Sequence, residues 1–180
     1  TSGISVQAQP VPIKIPSDIP SGSENFAAIG EYLYFKRIFF LYRTDGTNEG
    51  TIFLRSPFYQ DLTVLSEFKG MAIWIEDTAL WRSDGTQDGT IPLTSSALSN
   101  LQIIDSTENF LFFQGYDPAS GLELYRTDGT VEGTLLLKDI HPGSEDGYSG
   151  APVLAGNEFF FSGDDGTHGR ELWKTDGTTA

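Results

Sequence analysis

The chain has no cysteine, one methionine and few basic residues. Without cysteine there is no disulfide framework, no thiolate zinc site and no cysteine nucleophile. The 11 Lys+Arg stand against 25 Asp+Glu, a formal net charge of −14. That balance argues against a basic surface for a nucleic-acid backbone and against attachment to an anionic membrane. It suits a soluble, exported protein. No stretch approaches the ~20 apolar residues of a membrane-spanning helix. The opening Thr1-Ser2-Gly3-Ile4-Ser5 has no signal-peptide pattern. What the sequence does have is aromatic residues, at 13%, and 20 glycines among 180 residues. The first gives material for a core and the second for many turns.

One phrase recurs four times: Leu41-Tyr42-Arg43-Thr44-Asp45-Gly46-Thr47, Leu80-Trp81-Arg82-Ser83-Asp84-Gly85-Thr86, Leu124-Tyr125-Arg126-Thr127-Asp128-Gly129-Thr130 and Leu172-Trp173-Lys174-Thr175-Asp176-Gly177-Thr178. The first three copies run on to a second Gly-Thr, at Gly50-Thr51, Gly89-Thr90 and Gly133-Thr134. From Asp45 to Asp84 is 39 residues, from Asp84 to Asp128 is 44, and from Asp128 to Asp176 is 48. Repeats of this length without a 3.6-residue apolar period predict blades of short strands rather than helical solenoid units.

Each repeat has an aromatic strand (Tyr32–Phe35, Met71–Ile75, Phe110–Phe113, Phe159–Phe161), then the strand ending in Asp-Gly-Thr. An apolar strand follows the second Gly-Thr, and a short one, at 64–65, 103–104 and 153–154, precedes the next aromatic strand. Consecutive aromatics such as Phe159, Phe160 and Phe161 are apolar on both faces of a strand, so each sheet is expected to lie between two others. The expectation is an all-β, four-bladed β-propeller forming a single domain. Its approximate units are 11–47, 48–86, 87–130 and 131–180, after an extended N-terminal segment over 1–10.

The segment Val11-Pro12-Ile13-Lys14-Ile15 resembles Leu136-Leu137-Lys138-Asp139-Ile140, the strand that follows an Asp-Gly-Thr phrase. The last unit lacks that strand. Val11, Ile13 and Ile15 are therefore expected to complete the last sheet. The completed sheet is that of the same chain, closing a ring, or that of a neighbour, giving head-to-tail assembly. The third possibility is a piece of a longer array with arbitrary ends.

The run Glu171-Leu172-Trp173-Lys174-Thr175-Asp176-Gly177-Thr178 resembles the signature of the bacterial ELWxxDGT repeat family. So do Leu137-Lys138-Asp139-Ile140 with Pro142-Gly143, and the stretch from Phe161 to Glu171. The resemblance covers the chain from Val11 onward. It is best in the last unit and weakest in the first two, where Phe40-Leu41 and Ala79-Leu80 replace Glu-Leu. It implies an exported, secreted or cell-surface protein and no chemistry. Four-bladed hemopexin-like propellers are similar in size but close with a disulfide.

Asp45, Asp84, Asp128 and Asp176 read as structural turn residues, since carboxylates accept backbone N–H bonds and the following Gly supplies positive φ. Metal binding is not expected of them. Arg43, Arg82, Arg126 and Lys174 read as partners of carboxylates or as cations stacked on rings. Asp117, Asp164 and Asp165 offer oxygen for calcium, without the spacing of an EF-hand loop. His141 and His168 lie in Gly/Pro-rich turns, and no nucleophile elbow, phosphate loop or metalloprotease motif is present. No enzymatic activity is expected, glycoside chemistry being the distant alternative. Tyr42, Trp81, Tyr125 and Trp173 read as blade core. The non-repeating Phe58, Tyr59, Tyr116 and Tyr148 read as loop aromatics able to bind a sugar or a protein. The expected function is an extracellular structural module that self-assembles through its N-terminal strand. The alternative is a module binding an extracellular polysaccharide or protein on the propeller face.

Overall fold

The computed structural model describes residues 24–59, 64–95, 97–150 and 152–178. Val11, Ile13 and Ile15 lie outside them, as does the 1–10 segment. Among the described residues there are fifteen strands and no α-helix. The strands form four antiparallel sheets, each built from consecutive strands in chain order. The first holds β1 (Glu24–Ile29), β2 (Tyr32–Arg37), β3 (Phe40–Thr44) and β4 (Ile52–Arg55). The second holds β5 (Ser66–Phe68), β6 (Met71–Glu76), β7 (Ala79–Ser83) and β8 (Ile91–Pro92). The third holds β9 (Ser99–Ser106), β10 (Leu111–Asp117), β11 (Gly121–Thr127) and β12 (Leu135–Leu136). The fourth has three strands: β13 (Val153–Ala155), β14 (Glu158–Asp164) and β15 (Arg170–Thr175).

The all-β, four-sheet architecture agrees with expectation; the placing of unit boundaries does not. The strand after the second Gly-Thr belongs to the same sheet as the Asp-Gly-Thr strand before it, through Tyr42↔Phe53 and Arg43↔Ile52 in the first sheet. Boundaries at 47, 86 and 130 therefore cut β4, β8 and β12 from their sheets. The reason is geometric: the turn reverses the chain, so its two flanks pair with each other. The short strand expected at 64–65 is shifted to β5.

Directly paired residues share a face, and neighbours along a strand alternate. Tyr34, Leu41 and Arg43 thus lie on one face of the first sheet, and Phe35 and Tyr42 on the other. The first face meets the ring pair Trp74–Trp81 of the second sheet, stacked at 6.1 Å, in one cluster with Tyr34, Leu41 and Phe58. The pattern repeats. Ile73 and Leu80 of the second sheet cluster with Phe113 and Tyr125 of the third. Phe112 and Leu124 of the third cluster with Phe159, Phe161 and Trp173 of the fourth. Tyr42, Trp81, Tyr125 and Trp173 all pack in aromatic layers, but of these Tyr125 alone is buried and the rest are half-buried. Burying each large side chain contributes about 1.5–3 kcal/mol. The second and third sheets are covered on both faces, which explains their uninterrupted apolar strands. Among the described residues no core cluster joins the fourth sheet to the first.

Candidate functional site

The repeated phrase builds a small turn, closed by its own side chains. Asp45 Oδ1 accepts from the Thr47 N–H at 2.9 Å and from its hydroxyl at 2.7 Å. The Thr47 hydroxyl accepts from Gly50 N–H, and the Thr51 hydroxyl donates to the Thr47 carbonyl. The Thr44 and Thr51 hydroxyls meet at 2.9 Å, tying the two strands together. The same bonds recur around Asp84 and Asp128. Around Asp176, both Thr178 bonds form again. Thr47, Thr130 and Thr178 hold the carboxyls of Asp45, Asp128 and Asp176 below the usual range. For Asp84, partial burial pushes upward and the Thr86 bonds outweigh it. Depressed carboxyl groups add stability that is present at neutral pH and lost in acid.

This turn also explains the second glycine. A Cβ at Gly50, Gly89 or Gly133 would collide with the carboxylate of Asp45, Asp84 or Asp128. The second Gly-Thr is thus part of the same turn and not a separate signal. Sequence reasoning noticed the repetition but not its cause.

The basic residues join one sheet to the next. The Arg43 guanidinium lies 4.0 Å from the centre of the Tyr32 ring, and its Nε donates to the carbonyl of Gly85 at 2.6 Å. The Tyr32 ring packs on Gly85, where φ is +86 and a Cβ would come within 2.7 Å of it. Arg82 Nη1 donates to the Gly129 carbonyl at 2.7 Å, and Met71 covers Gly129. Arg126 lies 4.0 Å over Phe110, which covers Gly177. Each Asp-Gly-Thr glycine from the second onward is thus the socket for an apolar residue of the preceding sheet, with a cation beside it. Such stacked cations contribute about 0.5–2 kcal/mol each. The final cation, Lys174, instead pairs with Glu158 at 2.6 Å on the exposed surface.

Two of the four aromatics expected to bind ligands are inaccessible. Phe58 is fully buried, its ring 5.8 Å from Trp74. Its backbone N–H is held by the Phe39 carbonyl. Tyr148 is 2% exposed and packs against Phe161, and burial raises its hydroxyl to about 12. Both lie between successive sheets and pack into core clusters; their lack of a repeat partner had suggested exposure. Tyr116 is half-buried within β10. Tyr59 is 58% exposed and stands edge-on to exposed Phe39, ring centres 5.2 Å apart.

The loop carboxylates expected as calcium ligands are used by their own backbones. Asp117 accepts from Ala119 N–H, and Asp164 from Gly166 N–H. Asp165 accepts from the N–H groups of Thr167 and His168 and meets His168 Nδ1 at 2.8 Å. Asp165, His168 and Glu171 place ligand atoms within 4.8 Å of one another, a donor set able to take one divalent cation. Hydrogen bonds to His168 push the Asp165 carboxyl well below the usual range, and the pair raises His168.

A different carboxylate has the more unusual setting. Glu123 in β11 is fully buried, and its Oε1 accepts from the N–H groups of Ile140 and His141. It pins the long connection from β12 to β13. Burial raises its pKa to about 7, with the charge of Asp139 adding to the rise and the loop N–H groups drawing it back. Glu76 does a similar task in the second sheet, accepting from Tyr59 N–H while paired with Arg55 at 2.6 Å. The sequence analysis singled out neither glutamate, although Glu123-Leu124 matches the Glu171-Leu172 of the last unit.

The remaining feature is an edge. In the first three sheets the Asp-Gly-Thr strand has a fourth strand outside it; in the fourth, among the described residues, β15 has none. No protein-family model matches the chain, and no curated protein matches it.

Proposed function

We propose that this chain is an extracellular structural module, a four-bladed propeller-type repeat that assembles head to tail by strand complementation. The observation carrying this reading is the fourth sheet, which among the described residues has three strands with β15 at its edge. An open strand edge offers unpaired N–H and C=O groups, which a donated strand satisfies. Val11–Ile15 is the strand this reading assigns, by its likeness to 136–140. The partner is a second copy of the chain. The repeated residues support a role without catalysis, since their side chains close turns and join sheets. The test is native mass and negative-stain imaging of the intact chain and of one lacking residues 1–16. Multiples of 19.7 kDa that vanish on truncation are expected. A monomer at every concentration that merely loses stability on truncation would mean that the strand completes its own chain.

A second reading is favoured by the exposed group Phe39 and Tyr59, with Ile38 64% exposed beside them at the β2–β3 turn. Exposed, edge-packed aromatics suit a sugar face or a protein hot spot. Ile38 has φ of +54, a conformation costly for a β-branched residue, at this same turn. Under this reading, Phe39→Ser with Tyr59→Ser abolishes binding on a polysaccharide array while leaving Tm within a few degrees. Retained binding would end it.

A further inference from the structure

The connection from β12 to β13 is wedged between the third and fourth sheets and bonded to both. The Tyr148 N–H donates to the Leu122 carbonyl at 3.0 Å, and Asp146 Oδ1 accepts from the Leu122 N–H at 2.8 Å. On the other side the Ser149 N–H donates to the Ser162 carbonyl and the Asp164 N–H to the Gly147 carbonyl, both at 2.9 Å. Two glycines make room for the wedge. A Cβ on Gly121 would collide with the Glu145 carbonyl, and one on Gly163 would come within 3.2 Å of the Gly147 carbonyl. Main-chain bonds on both sides therefore fix the walls of the space beside it.

That space is an open cavity of about 340 Å³. It is lined by Gln114 of β10, Leu122 of β11, Asp146 and Tyr148 of the connection, Asp164 of β14 and Arg170 of β15. The volume is at the small end of ligand sites, which run from about 300 to 1,000 Å³, and suits one small ring rather than a chain of them. Tyr148 offers no ring face, being 2% exposed and packed on Phe161. A tyrosine so enclosed normally finds a hydrogen-bond partner for its hydroxyl. Among the described residues this hydroxyl has none, and it is not cut off from solvent. Asp164 and Arg170 stand directly opposite each other across β14 and β15 but form no ion pair. Asp164 gives one oxygen to the Gly166 N–H, as Asp146 does to Leu122. The second oxygen of each, and the Gln114 amide, have no partner among the described residues.

The wall thus offers two carboxylates as acceptors, a guanidinium and an amide as donors, and a hydroxyl that is both. A simple anion meets two carboxylates there, and a simple cation meets Arg170. A ring carrying several hydroxyls suits the whole set, since each hydroxyl donates to a carboxylate or accepts from Arg170, Gln114 or Tyr148. We infer that this cavity binds a single neutral sugar ring, a pyranose hydrogen-bonded to Gln114, Asp146, Tyr148, Asp164 and Arg170. The site is separate from Phe39 and Tyr59, and it needs neither a second copy of the chain nor the N-terminal strand.

The test is saturation-transfer NMR of the full chain with glucose, galactose and mannose in turn, with titration of each sugar that responds. At least one is expected to bind. Arg170→Ala should weaken that binding about tenfold or more, as loss of a charged donor does, and Tyr148→Phe about three- to tenfold. Tyr148→Phe should leave Tm unchanged, because the hydroxyl it removes has no partner in the fold. Absence of saturation transfer from all three sugars would overturn the inference. So would affinities that Arg170→Ala and Tyr148→Phe leave unaltered. If Phe39→Ser with Tyr59→Ser removes the signal while Arg170→Ala does not, the exposed aromatic group is the sugar site and this cavity is not.

Discussion

Replacing Phe58 with alanine is expected to cost about 3–5 kcal/mol, the usual loss for a fully buried aromatic. The same change at Tyr59, one residue on, is expected to cost less than about 0.5 kcal/mol. The contrast follows from position. Phe58 is wholly enclosed and edge-on to Trp74, in the cluster that binds the first sheet to the second. Truncation leaves a cavity in the cluster that holds Tyr34, Leu54 and Trp74, all buried. Tyr59 keeps its backbone bond to Glu76 whatever its side chain. In a chain of this size the Phe58 loss corresponds to a fall in Tm of roughly 6–20 °C. Thermal unfolding of the two variants side by side decides it. Equal, small shifts would mean that Phe58 is not the seam between sheets.

The second large effect is on pH. Glu123 has its pKa raised from 4.5 to about 7 by burial. Between those values the folded chain holds a proton that the unfolded chain has released. Stability from this group is therefore greatest below pH 4.5, falls as pH rises, and is gone above about pH 7. Glu123→Gln keeps an oxygen for the N–H groups of Ile140 and His141 and removes the charge. The variant should be more stable than the unaltered chain at pH 8 by about 1–3 kcal/mol, and within about 1 kcal/mol of it at pH 5. Urea unfolding at both pH values tests this. The depressed turn aspartates act with the opposite sign, losing their contribution in acid. The two trends together place maximum stability in mildly acidic solution. A profile for the unaltered chain that is flat from pH 5 to 8 would show that Glu123 stays charged in the fold.

Much of the architecture was legible because it is written four times. Four copies of one phrase announced four sheets. The expectation that every sheet lies between two others, drawn from Phe159, Phe160 and Phe161, holds among the described residues for the second and third sheets and not for the fourth, where Phe159 and Phe161 are buried and Phe160 is half-buried. The unit boundaries were not legible, since nothing local distinguishes a strand that returns to its own sheet from one that opens the next. The Asp-Gly-Thr turn was readable as a turn. The function of the second glycine was not, because it depends on where the Asp45, Asp84 and Asp128 carboxylates come to rest. Reading Phe58 and Tyr148 as exposed failed for one reason. A residue that does not repeat can belong to a connection, and here the connections carry anchors for the core. Glu123 was hidden because the perturbation of a carboxylate depends on burial and on neighbours distant in sequence, here Ile140 and His141.

The pairing of each strand only with its neighbours in the chain has a kinetic consequence. Every sheet is a run of hairpins, so loop closures are short and the contacts that form a sheet are local. A ribosome releasing this chain from its N-terminus delivers one complete sheet at a time, each able to fold onto the one before it. Of the four sheets the fourth emerges after the others, and among the described residues it joins only the third in a core cluster, so it docks onto a neighbour that is already folded.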